Sequence, residues 1–142
     1  MADDAATFLE GFVHEETQVH DGGVDLTLAT VHRIEAGGAV DFGAGELADA
    51  DTAPVDPERR EEADEYGWWD LDAGTYLVEF NETLDAANTT FSLQPRTELV
   101  ERGVTHPTLF VSKLPALPLT VPEPGIALKQ NARISTLRSP IR

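Results

Sequence analysis

Short apolar runs, each cut off by Gly or Pro within a few positions, set the strongest limit on how this chain folds. The sequence holds 11 Gly and 9 Pro in 142 residues, and no helical periodicity lasts beyond about three turns. Residues 24–31 alternate, with Leu26 and Leu28 on one face and Asp25, Thr27 and Ala29 on the other. Residues 71–80 read as a turn followed by a strand, and further short strands are expected at 39–42, 90–94, 109–111, 117–121, 126–129 and 132–137. Pro95 stops one of them, and Pro118 places another at a sheet edge or strand start. About eight to ten short strands favour an all-β sandwich, jelly roll or barrel. Residues 3–12 predict one short N-terminal helix with Phe8, Leu9 and Phe12 on one side. Residues 96–102 predict a single helical turn closed by Gly103.

The length suits one domain, residues 1–142. Inside it, 43–66 is almost free of large apolar residues and is expected to be an acidic surface loop or insertion. Its run 57–66 has the makings of a helical turn. Trp68-Trp69 restarts order and is expected to anchor that loop or a subunit contact rather than to stack on a base.

Charge narrows the function classes. The chain carries 26 acidic and 10 basic residues, a formal net charge of −16, and only two of the basic residues are Lys. A pI near 4.3 with so little Lys points to an organism with a salt-rich cytoplasm, where salt screens carboxylate repulsion. Such acidity opposes DNA binding. No apolar run is long enough for a membrane span, and the start Met1-Ala2-Asp3-Asp4 lacks a signal pattern, so a cytoplasmic protein is expected. There is no Cys and hence no disulfide framework. The charge is also uneven. Residues 1–90 hold 23 acidic and 3 basic residues, whereas 91–142 hold 3 and 7. The Arg-rich last third is either an anion site or a set of partners for the acidic half.

Four segments, in order, resemble the trimeric dUTPase and dCTP deaminase superfamily. Gly22-Gly23-Val24-Asp25-Leu26-Thr27-Leu28 is similar to its first motif, and residues 71–78 to the turn and strand before the second. Pro95-Arg96-Thr97-Glu98-Leu99 with Gly103 is similar to the Arg-Ser-Ser-Leu motif. Gly125-Ile126-Ala127-Leu128 and Asn131-Ala132-Arg133-Ile134-Ser135-Thr136-Leu137 resemble the closing Arg-Ile-Ala-Gln-Leu pattern. The resemblance covers roughly residues 18–138 apart from the acidic segment. It implies a dUTPase-like distorted β-barrel or jelly roll and homotrimers with sites between subunits. It also implies deoxynucleoside triphosphate substrates and Mg²⁺.

On this basis Arg96, Thr97 and Arg133 are candidate phosphate ligands. A guanidinium grips phosphate through parallel hydrogen bonds, and Thr97 adds a hydroxyl. Asp25 and Glu98 are candidates to lie near metal or substrate. Each also has a plainer alternative: Asp25 as a strand acid, Arg133 paired with the acidic half, and Glu98 bridged to Arg96 or Arg102. Glu98 stands where the family has a second hydroxyl residue, and Thr136 where it has Gln.

The larger departures concern catalysis. Between Gly103 and Pro122 there is no Asp or Glu, although the family's hydrolases and deaminases both keep a carboxylate in that region. The hydrolases' Gly-rich C-terminal arm is also not found. His106 alone in that stretch has the chemistry of a general base, and it is a weak candidate against a structural role. His14, His20 and His32 show no metal-ligand spacing. Two functions therefore compete: dUTP hydrolysis, or a non-catalytic relative acting as a nucleotide-binding or protein-interaction module. A carbohydrate-binding jelly roll rests on the β pattern alone.

Overall fold

A computed structural model describes residues 2–139. In chain order it runs α1 (Ala2–Thr7), β1 (Leu9–Glu10), α2 (Glu15–Gln18), β2 (Val19–His20), β3 (Gly23–Ala36) and β4 (Asp51–Pro54). There follow β5 (Trp68–Leu71), β6 (Gly74–Phe80), β7 (Thr83–Leu84), β8 (Phe91–Pro95) and α3 (Thr97–Val100). The last four elements are β9 (Leu109–Val111), β10 (Leu117–Val121), β11 (Ile126–Lys129) and β12 (Arg133–Arg138). The fold is mostly β, built around a curled half-barrel sheet ordered β10-β6-β3-β12-β8-β9, with β2 and β4 also paired to β3. Two-stranded sheets β1-β7 and β11-β5 complete it. Among the described residues, no helix is long and apolar enough to cross a membrane.

The 14-residue β3 is the spine. Its alternation sends Val24, Leu26 and Leu28 to one face, where all three are fully buried. There they join the buried Phe91, Leu93, Leu117, Leu119, Ile134 and Leu137 in one core. Each such side chain contributes about 1.5–3 kcal/mol by leaving water. The opposite face of β3 is also covered near its start. Asp25 and Thr27 are 1% and 2% exposed. The functional geometry grows from these two buried polar residues.

Several elements differ from the sequence expectation. The N-terminal helix ends at Thr7, not at residue 12. Leu9 and Glu10 instead pair with β7, and Gly11 turns the chain at a φ of 90°. The strand foreseen at 24–31 extends to Ala36 because β4, from within the acidic segment, pairs with its far end. No helix forms at 57–66, where Glu58 bridges to Trp68 and a single turn is closed by the Asp64 N–H donating to the Glu61 carbonyl at 3.1 Å. No strand forms at 39–42 either. Ala39 and Ala48 make a single bridge, and Val40 and Phe42 stand exposed beyond it.

Other features follow the sequence. The helical turn after Pro95 is α3, and Gly103 closes it at a φ of 80°. Strand β10, with Pro118, lies at the sheet edge. Trp69 is buried and its Nε1–H donates to the Val55 carbonyl at 2.7 Å, tying down the acidic segment. The Trp68 ring carries the Arg60 guanidinium 3.9 Å from its centroid.

Candidate functional site

The hairpin of β2 and β3 is closed by Asp21-Gly22, a two-residue turn sequence that favours tight antiparallel return. His20 lies opposite Gly23, which brings its ring diagonally over Asp25. The Gly22 N–H donates to His20 Nδ1 at 3.0 Å, and His20 Nε2–H donates to Asp25 Oδ1 at 2.8 Å.

On the other side, β12 runs antiparallel to β3 with Thr136 opposite Asp25 and Arg133 opposite Thr27. Simple alternation would send residues 133 and 136 to opposite faces. A register shift between Arg133 and Ser135 adds one residue on β12, so both side chains reach the same carboxylate. The Thr136 hydroxyl donates to Asp25 Oδ1 at 2.9 Å, and Arg133 Nη1 donates to Oδ2 at 3.1 Å.

Arg96 enters from the end of β8. Its backbone N–H donates to Ile134, and its Nη1 donates to the Arg133 carbonyl at 3.3 Å. Its Nε lies 3.4 Å from Asp25 Oδ2, and its Nη2 lies 3.4 Å from Glu98 Oε1. Asp25 therefore anchors two guanidiniums, an imidazole and a hydroxyl at the mouth of a cavity of about 170 Å³. His20, Asp25, Arg96, Thr97, Glu98, Thr136 and Arg138 line it. Arg138 is fixed by donating to the Gly22 carbonyl. Two exposed-edge guanidiniums and two hydroxyls around one small hollow suit a multiply charged oxyanion. Larger clefts of about 320 Å³ exist, one beside Lys113 and one beside Pro124, but neither gathers convergent cations.

The structure thus brings Asp25, Arg96, Thr97, Glu98 and Arg133 together, although Arg133 reaches the cavity through Asp25 and is not in its lining. It does not bring His106 there. Ser135 pairs opposite the core residue Leu26, so its side chain faces the core, away from Asp25. His106 is buried on that side, with Nδ1–H donating to the Pro107 carbonyl at 2.9 Å and Nε2 accepting from the Ser135 hydroxyl at 2.7 Å. Desolvation by burial holds its pKa below the ordinary 6.5, and the Pro107 bond partly offsets this.

Sequence reasoning did not place His20 and Arg138 in the cavity or find the support beneath Asp25. Gln18, 1% exposed, accepts from the Val13 and His14 backbone N–H groups and donates to the Asp25 carbonyl and to Glu82. Glu82, 2% exposed, also accepts from the Thr27 N–H at 2.8 Å and the Thr27 hydroxyl at 2.5 Å. The Asp21-Gly22 turn was a signal that pointed to His20. Nothing local marks Gln18 or Glu82.

Among the described residues no three His, Asp or Glu side chains gather as a metal site. The oxygens of Asp25 already face N–H and O–H donors, and Glu98 at the rim is paired with Arg96. The donor set does not fit a resident Mg²⁺, which asks for several oxygen ligands.

No family model matches the chain. It is 33% identical over 135 residues to the probable deoxyuridine 5'-triphosphate nucleotidohydrolase of Methanosarcina mazei, covering 91% of this chain and 75% of that one. The chain belongs to the dUTPase and dCTP deaminase family. A second relative with the same name, from Methanosarcina barkeri, is 32% identical over 139 residues, covering 92% and 77%. The 2'-deoxycytidine 5'-triphosphate deaminase of Agrobacterium tumefaciens superposes with a TM-score of 0.63 at 19% identity. That likeness covers 94% of this chain and 44% of the deaminase chain, and it concerns the fold. Within this family member, the motif-like segments around Asp25, Arg96 and Arg133 meet at one cavity.

Proposed function

We propose that the chain binds a deoxynucleoside triphosphate at the Asp25–Arg96 cavity and hydrolyses dUTP to dUMP and pyrophosphate. The observation that carries this is the convergence of Arg96, Arg138, Thr97 and Thr136 on one hollow, in a chain whose curated relatives are named for dUTP hydrolysis. Arg96 and Arg138 grip phosphate oxygens. Thr97 adds a hydroxyl, and Asp25 holds Arg96 and Arg133 in place without facing the phosphates itself. Water adds to phosphorus, the bond between the α-phosphorus and the bridging oxygen to the β-phosphorus breaks, and pyrophosphate leaves against the guanidiniums. The attacking water gives its proton to Glu98, the rim carboxylate with 57% side-chain exposure. Mg²⁺ enters as the counter-ion of the triphosphate and so as part of the substrate.

The reading extends to a cytoplasmic, salt-adapted homotrimer, as the family resemblance and the acidic composition suggest. One observation favours a second reading, a nucleotide-binding relative without turnover. Residues 104–121 contain no carboxylate, and among the described residues the acidic ones lining the cavity are Asp25 and Glu98, both already paired. The test is to incubate folded protein in molar KCl and Mg²⁺ with dUTP, dCTP and dTTP and to analyse the products. Pyrophosphate with dUMP supports the hydrolase. Nucleotide binding with no product supports the second reading, and deaminated dCTP refutes the stated chemistry.

A further inference from the structure

The arm that joins β3 to β4 continues beyond their last pair, Ala36 with Asp51. Ala39 and Ala48 exchange two backbone hydrogen bonds of 2.9 Å. The Asp41 carboxylate accepts from the Glu46 N–H at 2.7 Å, and Ala44 takes a φ of 71° at the tip. Gly38 lies so close to the Ala48 carbonyl that a Cβ there has no room. The arm is thus held in shape by its own hydrogen bonds, and what it holds out is apolar. Val40 is 89% exposed, Leu47 is 58% exposed and Phe42 is fully exposed. Single exposed apolar side chains are ordinary, but three on one short arm make a patch. Asp41, Glu46 and Asp49 flank them.

The cleft beside Lys113 has the matching chemistry. Its volume is about 320 Å³, and Phe80, Leu84, Leu114, Pro115 and Ala116 give it apolar walls. Its two acidic residues are engaged. Glu82 turns inward to Thr27 and Gln18, and Glu79 accepts from the Thr30 hydroxyl at 2.9 Å and lies 3.6 Å from His32. Lys113 is exposed, and its ammonium has no partner among the described residues. A hollow with the volume of roughly ten waters takes a phenyl ring and an aliphatic neighbour. A lysine at the rim complements an arm whose flanks are acidic.

The two cannot meet within one chain. The cleft lies where β6 ends, with Phe80 opposite Leu28. The arm leaves β3 at Ala36, eight residues or about 26 Å further along the strand. We propose that the arm of one copy docks in the Lys113 cleft of a second copy, with Phe42 in the hollow and Glu46 facing Lys113. The inference rests on the oligomeric reading above and adds the contact that builds the oligomer. Each copy gives one arm and takes one, so the contact runs head to tail and closes as a ring. A phenyl ring brings about 150–250 Å². One arm therefore falls short of the roughly 1,000 Å² of a stable pair, and ring closure doubles the contact that each copy makes.

The test reads the assembly and the contact separately. Sedimentation velocity over a range of protein concentrations in molar KCl compares the parent chain with Phe42→Ser, a change at a side chain that contributes no packing within its own chain. The chain has no Cys, so a short bismaleimide links only introduced thiols. A side chain at Gly43 meets nothing within 4 Å, and Ala116 is exposed at the cleft. Gly43→Cys, Ala116→Cys and the double variant are treated alike. The parent is expected to sediment as a closed oligomer, and Phe42→Ser to raise its dissociation constant about tenfold or more. Covalent multimers are expected from the double variant and not from either single one. An oligomeric parent overturns the arm contact, while leaving the oligomer standing, if Phe42→Ser assembles equally well, if the double variant stays unlinked or if a single variant links to itself. A folded parent that is monomeric at every concentration overturns the oligomeric reading itself.

Discussion

Replacing His106 with Ala separates a core histidine from a chemical one. The ring is 4% exposed and makes two hydrogen bonds, to the Pro107 carbonyl and to the fully buried Ser135 hydroxyl. Its removal forfeits both, strands the Ser135 hydroxyl and opens a cavity, for a total of about 2–4 kcal/mol. In a chain of this length that lowers Tm by roughly 10 °C. The acid side adds a signature. Burial holds the folded pKa below 6.5, so as pH falls through about 6.5 the unfolded chain takes up a proton that the folded protein resists. The stability due to neutral His106 is therefore complete above that pH. It is lost as pH drops towards the lower folded value. Urea unfolding in molar KCl at pH 7.5 and at several lower values, for parent and variant, reads both effects. The variant is less stable at pH 7.5 and loses less on acidification, while its rate of pyrophosphate release per folded molecule stays within about threefold of the parent's. A variant as stable as its parent but more than a hundredfold slower would refute the argument and make His106 the base.

Asp25→Asn leaves Arg96 and Arg133 without their carboxylate and turns an amide N–H towards other donors. Because those guanidiniums are 19% and 36% exposed, water compensates in part, and the loss is about 2–3 kcal/mol rather than that of a fully buried pair. Denaturant midpoints check it. Gly23→Ala forces a side chain onto the Leu137 carbonyl at a φ of 136° and costs at least about 2 kcal/mol. It also crowds Thr136 and Arg138, and circular dichroism melts with nucleotide titration report both changes. With a net charge of −16, the melting temperature rises steadily from low KCl to molar KCl, as screening relieves repulsion. A flat profile contradicts salt adaptation.

Much of this was legible in the chain. The period-two alternation of 24–28 and the Pro and Gly stops gave the sheet, because each strand buries one face against a single core. The segments around Asp25, Arg96 and Arg133 signalled the cavity by their similarity to one family. The charge halves hinted at a further truth, since Asp25 from the acidic half does hold Arg96 and Arg133 from the basic third. What stayed hidden depends on non-local geometry. The bulge that turns Arg133 onto the face of Thr136 leaves no local mark, and alternation read naively denies it. Gln18 and Glu82 lie 64 residues apart and meet only after β3 and β6 pair. The N-terminal helix was drawn too long because Phe8, Leu9 and Phe12 have helical spacing. Tertiary pairing of Leu9 with Leu84 outweighs that local preference.

The central claim is that Arg96 grips the phosphates of a deoxynucleotide. Its most direct test is the equilibrium affinity of Arg96→Ala for dUTP with Mg²⁺ in molar KCl, beside the parent chain, both shown to be folded. Losing one charge-assisted grip of about 1.5–3 kcal/mol predicts affinity weakened by roughly tenfold to a hundredfold. Equal affinity in the two proteins would remove Arg96 from the site and contradict the account.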